Sequence, residues 1–483
     1  MRILMASAEM APYMKVGGLA DVLGALPQEL VRRGHTVAVG LPLYEGLDPA
    51  QRDDLEELEA FGIEVRFGDE DVRARIVRAR AAGDVELLLV DRPELMRRTN
   101  PYVDPATGME WPDSAQRFIF FCRALEEALR RALWPADVVH LHDHQTAPLA
   151  SRIARGPGLG PSRPGLVFTI HNVGYQGVYD LDMIPLLDLP PSLWEGGPLG
   201  FWGKVNFLKM GIVDGDILTT VSEHYAREIA SSAEYGCGLE HDLARRGDDL
   251  AGIVNGIDTA TWNPATDELI PYPYRPSDFQ NKRLNKERLL QSFELPVELD
   301  APLAGIVSRL VTQKGFDLIE EAAGRLLGEL GLRLVVLGTG EPRFEDLMRR
   351  LRGQYPEQIG VSIGFSEPLA HLVEAGSDFF LMPSRYEPCG LNQIYSFRYG
   401  TVPIVRATGG LADTVEEFEP VSGRGNGFVF HDYTAEAMLG AVARALEVYA
   451  KPRTFKKLIA KIMQLDFSWA RTAGRFEEVY ARA

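Results

Sequence analysis

Cysteine is scarce in this sequence, and long apolar runs are missing. The three cysteines in 483 residues, Cys122, Cys237 and Cys389, include no Cys-x-x-Cys pair, so a disulfide framework is excluded and a reducing, cytoplasmic setting is expected. No segment approaches the roughly 18 consecutive apolar residues of a membrane span. Glu9 interrupts the apolar stretch near the N-terminus, which excludes a signal peptide there. We therefore expect a soluble protein that is not exported.

Positive charge is also in short supply. Lys and Arg number 51 against 68 Asp and Glu, a formal net charge of −17. Such a charge repels polyphosphate surfaces, so neither nucleic acid nor an anionic membrane is an expected partner. With 46% hydrophobic and 25% charged residues the composition is ordinary for a globular protein, which excludes a disordered chain.

The spacing of apolar residues predicts an α/β fold. Short aliphatic runs, such as residues 2–7 and 36–41, alternate with longer amphipathic segments, such as residues 19–33. This alternation is typical of a parallel sheet covered by helices. In such sheets ligands bind beyond the carboxyl ends of the strands, so the loops at those ends are the candidate sites.

The same alternation predicts two domains in series. It stops at a polar stretch near residue 247 and restarts at residues 303–307. The length of the chain also suits two large domains. We place them at residues 1–250 and 251–465, and the helical spacing of apolar residues near the end predicts a terminal helix within residues 466–483.

The first candidate loop carries two adjacent glycines beside a lysine. It reads Lys15-Val-Gly-Gly18-Leu-Ala-Asp21 and connects the opening strand to a helix. Glycine lets a backbone approach an oxyanion closely, and the helix N-terminus offers unpaired N–H groups. The pattern is neither the dinucleotide motif G-x-G-x-x-G nor the P-loop. Two interpretations stay open, an anion-binding turn and a structural Gly-Gly turn.

Histidines cluster where two further strands end. His140, His142 and His144 alternate along one strand end, and His171 follows the next strand. Histidines at i and i+2 share one face of a strand, so a metal site is one interpretation, although no third ligand cluster is evident. A hydrogen-bonded structural role and a substrate contact are the alternatives for His171.

Two loops of the second half combine charge with helix starts. Arg309 and Lys314 stand five residues apart between a strand and a helix, and a planar fork with a point charge suits a diphosphate. The alternative is a solvated basic loop. A later loop carries Glu387, and the N–H groups of Gly390 and Leu391 stand at the helix start that follows, which predicts a second anion-binding point.

Taken together, these motifs resemble the bacterial glycogen synthases and plant starch synthases, retaining glucosyltransferases with the GT-B fold. The matching segments follow the order of the family across nearly the whole chain: Lys15-Val-Gly-Gly-Leu-Ala-Asp21, His171-Asn172 with Tyr175-Gln-Gly177, Val254-Asn-Gly-Ile-Asp258, Ser308-Arg309 with Lys314-Gly315, Pro383 to Leu391, and Thr408-Gly-Gly-Leu-Ala-Asp-Thr414. The resemblance implies two Rossmann-like domains that face each other across a cleft. It also implies that a terminal segment starting at Asp466-Phe-Ser-Trp469 crosses back to the first domain.

The resemblance further implies the reaction and its residues. The donor would be ADP-glucose and the acceptor the non-reducing end of an α-1,4-glucan such as glycogen, with no metal or cofactor. The implied catalytic residues are Arg309 and Lys314 on the diphosphate, Glu387 on the sugar hydroxyls and His171 beside the transferred glucose. The implied substrate contacts are Lys15, Gly18, Asp21, Asp143, Asn255, Phe365 as the base-stacking platform, Cys389, Gly390 and Leu391.

Three positions depart from the family pattern. His144 stands where a Trp is common, and Asn392 stands where a Thr is common. Tyr395 lies eight residues after Glu387, where the E-x7-E glycosyltransferases have a second Glu. The last departure favours the starch and glycogen synthase branch.

Other functions stay open at this point. One is a UDP-glucose-dependent GT-B transferase with another acceptor, as in sucrose or trehalose synthesis. Another is a non-catalytic glucan-binding relative, which the presence of Lys15, Arg309, Lys314 and Glu387 argues against. An NAD-dependent oxidoreductase lacks its fingerprint. The sequence leaves the oligomeric state open.

Overall fold

The computed structural model describes residues 1–157, 159, 163–278 and 280–483. They form two compact units: Met1–Gly256 together with Trp469–Ala483, and Ile257–Ser468. Each unit has a sheet of mainly parallel strands with helices around it, which confirms the α/β fold class predicted from the sequence.

The first unit is built on a nine-stranded sheet. Its strands are β1 (Arg2–Ala6), β2 (Thr36–Pro42), β3 (Glu56–Phe67), β4 (Glu70–Arg80), β5 (Glu86–Asp91), β6 (Val138–His142), β7 (Gly165–Ile170), β10 (Ile217–Thr220) and β11 (Leu250–Gly252), while β8 (Val178–Tyr179) and β9 (Val205–Asn206) form a separate pair. The order is β11-β10-β7-β6-β1-β2-β5-β4-β3. β4 runs antiparallel to β3 and β5. The other neighbours in the sheet are all parallel, and they comprise β5, β2, β1, β6, β7, β10 and β11. Because β1 is buried on both faces, it is apolar throughout its interior.

Helices cover this sheet. They are α1 (Gly18–Arg32), α2 (Pro93–Met96), α3 (Ser114–Arg130), α4 (Ala147–Arg155), α5 (Ile184–Leu187), α6 (Phe207–Asp214), α7 (Glu223–Ile229), α8 (Ala233–Gly236) and α9 (Glu240–Ala244). The apolar face of α1 packs on the sheet in one core with Ile3 and Val39.

The second unit contains a six-stranded parallel sheet. Its strands are β12 (Leu303–Val307), β13 (Arg333–Gly338), β14 (Ile359–Ile363), β15 (Phe379–Met382), β16 (Val402–Arg406) and β17 (Phe428–Phe430), in the order β14-β13-β12-β15-β16-β17. Its helices are α10 (Gln280–Ser292), α11 (Phe316–Ala323), α12 (Pro342–Gln354), α13 (Glu367–Gly376), α14 (Asn392–Tyr399), α15 (Gly409–Thr414), α16 (Ala435–Tyr449) and α17 (Pro452–Ile462). α11 ends at Ala323 and is followed by a π-helical segment, Gly324–Glu329. Gly324 and Gly328 in that segment are weak helix formers, which eases the change of winding.

The last helix, α18 (Trp469–Tyr480), belongs to the first unit. Its buried face, formed by Trp469, Ala473, Phe476, Val479 and Tyr480, joins the core that contains β1. A Cβ added at Gly256 would lie 2.7 Å from the backbone nitrogen of Trp469, so the start of α18 packs closely on the residue that ends the first stretch of this unit.

Within the described residues, no helix has both the length and the apolar character needed to cross a membrane.

Candidate active site

Apart from Asn255, the candidate residues of the first unit lie just beyond the carboxyl ends of β1, β6 and β7. β2 and β5 follow β1 on one side of the sheet, and β7, β10 and β11 follow β6 on the other side. The strand order therefore reverses between β1 and β6, which is the topological switch point of the sheet. Loops at such a point separate from each other and leave a crevice for a ligand.

A buried carboxylate, that of Glu9, binds the backbone of the loop that contains Gly17 and Gly18. The N–H groups of Val16 and Gly17 donate to Oε2 of Glu9 at 2.6 and 2.7 Å, and the hydroxyl of Tyr102 donates to Oε1. Burial raises the pKa of Glu9, while these three hydrogen bonds oppose that rise. The N–H groups of Val16 and Gly17 therefore already have an acceptor within the chain.

Lys15 and Asp21 form an ion pair across this loop. The Nζ of Lys15 lies 2.7 Å from Oδ1 of Asp21, and both side chains remain partly exposed. Gly18 is the first residue of α1. The pair therefore places one cation and one carboxylate beside the start of α1.

Asp143 organises the loop that carries His171. Its backbone is left-handed (φ +58°), and its Oδ1 accepts the backbone N–H of His171 at 2.7 Å. Burial raises the pKa of Asp143 to about 7, against the hydrogen bonds from the N–H groups of His171 and Asn172. This carboxyl therefore fixes the backbone of the neighbouring loop, whatever else it contacts.

His140, His142 and His171 lie in a series and contact each other or neighbouring hydroxyl groups. Nδ1 of His142 lies 3.0 Å from Nε2 of His171, and His140 lies between the hydroxyls of Tyr480 (2.9 Å) and Thr169 (2.6 Å). In the described part of the chain, no group of three or more His, Cys, Asp or Glu side chains is arranged to hold a metal ion. His144 instead lies 3.0 Å from the carbonyl of Tyr175, so this departure from the family pattern ties β6 to the loop after β7.

The second unit brings Lys314 and Glu387 together at its own switch point, between β12 and β15. Lys314 ends a 3-10 turn (Thr312–Lys314), and its Nζ donates to Oε2 of Glu387 at 2.6 Å. The hydroxyl of Ser384 donates to the same oxygen at 3.0 Å. Glu387 is only 6% exposed, so the carboxylate depends on these donors in place of water.

Gln313 joins the loop after β12 to the loop after β15. Its Oε1 accepts from Nη2 of Arg309 at 3.3 Å, and its Nε2 donates to the carbonyl of Tyr386 at 3.2 Å. Its own carbonyl accepts the backbone N–H of Arg385 at 2.8 Å. Gln313 thereby holds Arg309 in register with the segment that contains Glu387.

The start of α14 is shaped by glycine and amide contacts. Gly390 has φ +70°, a conformation that suits glycine, while Cys389 is buried and Leu391 is half-buried. Nε2 of Gln393 donates to the carbonyls of Cys389 (3.0 Å) and Gly390 (2.7 Å). These bonds direct both carbonyls toward the helix.

The other two departures from the family pattern have structural partners. Nδ2 of Asn392 donates to the carbonyl of Val307 at 2.5 Å, which fastens the start of α14 to the end of β12. The ring of Tyr395 stacks on Trp262 with 3.7 Å between centroids. Tyr395 therefore packs among the aromatic residues of the second unit.

The structure also locates the two remaining candidates. Asn255 is buried, three residues beyond β11. Phe365, between β14 and α13, is 81% exposed, so its ring is open to a flat partner. Glu9, Gln313 and Ser384 were not predicted as site residues from the sequence, and His142 was considered only as a metal ligand. Glu9 alone shows a sequence signal, because it is the single acidic residue in the apolar stretch near the N-terminus.

Residues 2–245 match the family described as starch synthase catalytic domain, and residues 287–461 match glycosyl transferases group 1. The chain is 44% identical to a glycogen synthase of Koribacter versatilis, over 100% of this chain and 98% of that protein. The chain belongs to the glycogen and starch synthase family. It is therefore an enzyme, a glycosyltransferase.

Further relatives agree with this assignment. Glycogen synthase 1 of Methylococcus capsulatus is 42% identical over 100% of this chain and 97% of its own length. Among solved structures, the catalytic domain of starch synthase IV from Arabidopsis thaliana, bound to ADP and acarbose, matches with a TM-score of 0.88 and 34% identity, over 100% of this chain and 98% of that one. A sucrose-phosphate synthase from Thermosynechococcus elongatus, at 16% identity and a TM-score of 0.60, shares the fold alone.

Proposed function

We propose that this glycosyltransferase transfers glucose from ADP-glucose to the non-reducing end of an α-1,4-glucan, with retention of configuration, and so elongates glycogen. The observation that carries the proposal is the Lys314–Glu387 pair, with Arg309 on the same loop as Lys314, at the switch point of the second sheet. A cation pair suited to phosphate and a carboxylate suited to sugar hydroxyls meet there.

The chemistry explains why these residue types are needed. The bond from the anomeric carbon to the diphosphate oxygen breaks through an oxocarbenium-like state, so negative charge develops on the departing phosphate. Arg309 and Lys314 stabilise that charge without a metal. Lys314 is neutralised by Glu387 before the donor arrives, and the diphosphate then shares its ammonium group.

A front-face reaction accounts for the retention of configuration at the anomeric carbon. The acceptor hydroxyl oxygen bonds to the anomeric carbon on the face that the phosphate leaves, and its proton passes to a phosphate oxygen. Glu387 orients the sugar hydroxyls, and the N–H groups of Gly390 and Leu391, next to Cys389, bind a phosphate. No covalent enzyme intermediate is required.

The remaining candidates have supporting roles. Lys15, Gly18, Asp21 and Asn255 are assigned to the donor, and His171 and Asp143 to the transferred glucose. Phe365 stacks on the base of the nucleotide.

The choice of adenine rests on a relative. The Arabidopsis starch synthase IV structure contains ADP, and its sequence is 34% identical to this chain. The scarcity of cysteine and the net charge of −17 fit an enzyme that works in the cytoplasm on soluble substrates.

A transfer assay tests the proposal. Radiolabelled ADP-glucose and UDP-glucose are each offered with glycogen, with and without a chelator, and the new linkage is digested with an α-specific amylase. We expect incorporation from ADP-glucose, unaffected by chelation, into amylase-sensitive product. Preference for UDP-glucose would contradict the donor, loss of activity in chelator would contradict the metal-free mechanism, and no incorporation from either donor would contradict the function.

Replacing Lys314 in the same assay tests its role. Because one preorganised charge stabiliser is worth about a hundredfold or more in kcat, Lys314→Ala should lose about that much. Lys457→Ala, an exposed lysine on α17, is the matched control and should keep normal turnover. A Lys314→Ala enzyme with near-normal kcat would remove Lys314 from the mechanism.

A further inference from the structure

Three imidazole rings lie in series at the carboxyl ends of β6 and β7. The centroids of His140 and His142 are 4.1 Å apart, and those of His142 and His171 are 5.3 Å apart. β6 and β7 are neighbouring parallel strands, with His142 opposite Thr169, so the backbone register holds the rings in place. The series ends at His171, which the proposed function places beside the transferred sugar.

The rings of this series are neutral at physiological pH. Burial lowers the pKa of His140 and of His171 to about 3, and burial and the neighbouring rings lower that of His142 further below its ordinary value. The nearby Asp143 uses one oxygen on the backbone N–H of His171 rather than on an imidazole ring. Each ring therefore carries one N–H, and its position becomes a question of tautomers.

One proton must lie between Nδ1 of His142 and Nε2 of His171, because 3.0 Å is a hydrogen-bond distance. The other nitrogen of His142, Nε2, is buried and has no partner among the described residues. If His142 carried its proton on Nε2, a buried N–H would be left unpaired, and buried N–H groups are left unpaired more rarely than buried acceptors. The favoured arrangement puts the proton on Nδ1 of His142.

We infer that His142 is a positioning residue that fixes His171 as the Nδ1–H tautomer, so that His171 acts on the substrate as a neutral hydrogen-bond donor and not as a base. His142 donates to Nε2 of His171, which leaves the proton of His171 on Nδ1. Among the described residues, Nδ1 of His171 has no hydrogen-bond partner, so it is the nitrogen left for a ligand. That ligand would present an acceptor atom, such as a hydroxyl oxygen; the identity of the ligand rests on the proposed function, but the tautomer does not.

Nitrogen NMR of the unmodified enzyme tests the tautomer without any substrate. In protein labelled with ¹⁵N-histidine, the signals of His171 are assigned by their loss in His171→Gln. We expect a protonated, pyrrole-like Nδ1 and an unprotonated, pyridine-like Nε2 for His171 at pH 7.5. The reverse assignment, or a doubly protonated ring, would overturn the inference even if the enzyme proves to be a glycogen synthase.

Variants of His142 then test the effect on catalysis. His142→Asn keeps an N–H near the position of Nδ1, whereas His142→Leu removes it. We expect His142→Leu to lower kcat/KM about tenfold, the scale of one neutral hydrogen bond, and to make His171 a mixture of tautomers. His142→Asn should stay within a fewfold of the wild type and keep the Nδ1–H form.

Tyr480→Phe is the matched control for these variants. It removes the hydroxyl that contacts His140 but leaves the His142–His171 contact intact, so the tautomer of His171 should not change. Equal losses in well-folded His142→Asn and His142→Leu would show that the donor is irrelevant and would contradict the inference. If His142→Leu does not fold, the spectrum of the wild type still decides the question.

Discussion

Glu387 receives two hydrogen bonds on the same oxygen, from Lys314 and from Ser384. An acid near a helix start can serve only to complement the helix dipole, worth about 0.3–1 kcal/mol. No acidic residue lies in the first turn of α14, however, and Glu387 precedes that helix by several residues. Its burial and its ion pair favour a role in binding over a role in capping.

Replacing Glu387 by Gln separates these roles. Losing a charge-assisted contact to sugar hydroxyls, with its alignment, should lower kcat by roughly tenfold to several hundredfold. The thermal transition should also fall, because Lys314 loses its partner in a poorly exposed site. kcat is therefore measured with saturating donor, well below the transition temperature.

The control for this variant is Glu436→Gln, which breaks an exposed ion pair with Arg325 on the same unit. Exposed pairs contribute little, so both its kcat and its thermal transition should match the wild type. Normal turnover in Glu387→Gln with a lowered transition would make Glu387 a purely structural residue.

Single residues also show where prediction from sequence fails. The spacing of Arg309 and Lys314 between a strand and a helix can be recognised in the sequence, because neighbours in the chain are neighbours in the loop. The partners of Glu9 and His142 cannot be recognised in this way, because Tyr102 and His171 reach them only through the order of strands. Contacts between distant segments depend on the fold, which has to be known first.

At the scale of elements, the first turn of α15 contacts the loop that carries Glu387. The N–H of Gly410 donates to the carbonyls of Glu387 and Pro388, each at 3.1 Å. A Cβ on Gly410 would lie 2.1 Å from the carbonyl oxygen of Cys389. The backbone of this helix start and that of the loop are therefore in direct contact.

Gly410→Ala should accordingly damage activity through the backbone. The added methyl group has to push the 387–389 segment away, so we expect a loss of about 1–3 kcal/mol in stability and of at least about tenfold in kcat. Activity assays and denaturant unfolding check both effects.

The control for this variant is Gly440→Ala. Gly440 lies inside α16, is exposed, and has room for a methyl group. Alanine there should stabilise the protein by about 0.5–1 kcal/mol and leave kcat unchanged. If Gly410→Ala changed stability and kcat no more than Gly440→Ala does, the contact between Gly410 and the Glu387 loop would not affect activity.

Elements differ in how well their sequences reveal them. β1, β12 and β15 are short, largely apolar runs because both faces of a central strand are buried, and such runs predict strands directly. The hairpin of β3 and β4 was not predicted. Its exposed residues are densely charged, as in the segment Glu56-Glu-Leu-Glu, so the alternation typical of a half-buried strand is hard to see.

At the scale of the whole molecule, α18 is fastened to the first unit by charge as well as by its apolar face. Glu477 accepts from Nε and Nη2 of Arg33 at 2.9 and 2.5 Å and lies 3.0 Å from the ring of His35. These hydrogen bonds, first from Arg33 and then from His35, lower the pKa of Glu477 to about 2.

This lowered pKa makes the contribution of Glu477 dependent on pH. Because the pKa is lower in the folded state than its ordinary value of 4.5, the contribution is complete above about pH 4.5 and is lost as the pH falls toward 2. Glu477→Gln should therefore lower Tm at pH 7, and its difference from the wild type should shrink below about pH 4.5. Calorimetry at several pH values measures this.

The neighbouring Glu478 provides the comparison. It is an exposed residue of the same helix whose partner, Arg475, lies 3.8 Å away, so Glu478→Gln should leave Tm unchanged. Equal effects of the two substitutions, or a difference that does not vary with pH, would contradict the role given to Glu477.

The docking of α18 also bears on how the protein is made. The first unit needs Trp469–Ala483, yet the ribosome adds Ile257–Ser468 before it reaches them. At about 5–20 residues per second, the roughly 200 intervening residues take on the order of ten to forty seconds. Throughout that interval the apolar surface that α18 covers stays in contact with water or with chaperones. The unit that is synthesised second can thus complete its core first, and the unit that emerges first is the last to be finished.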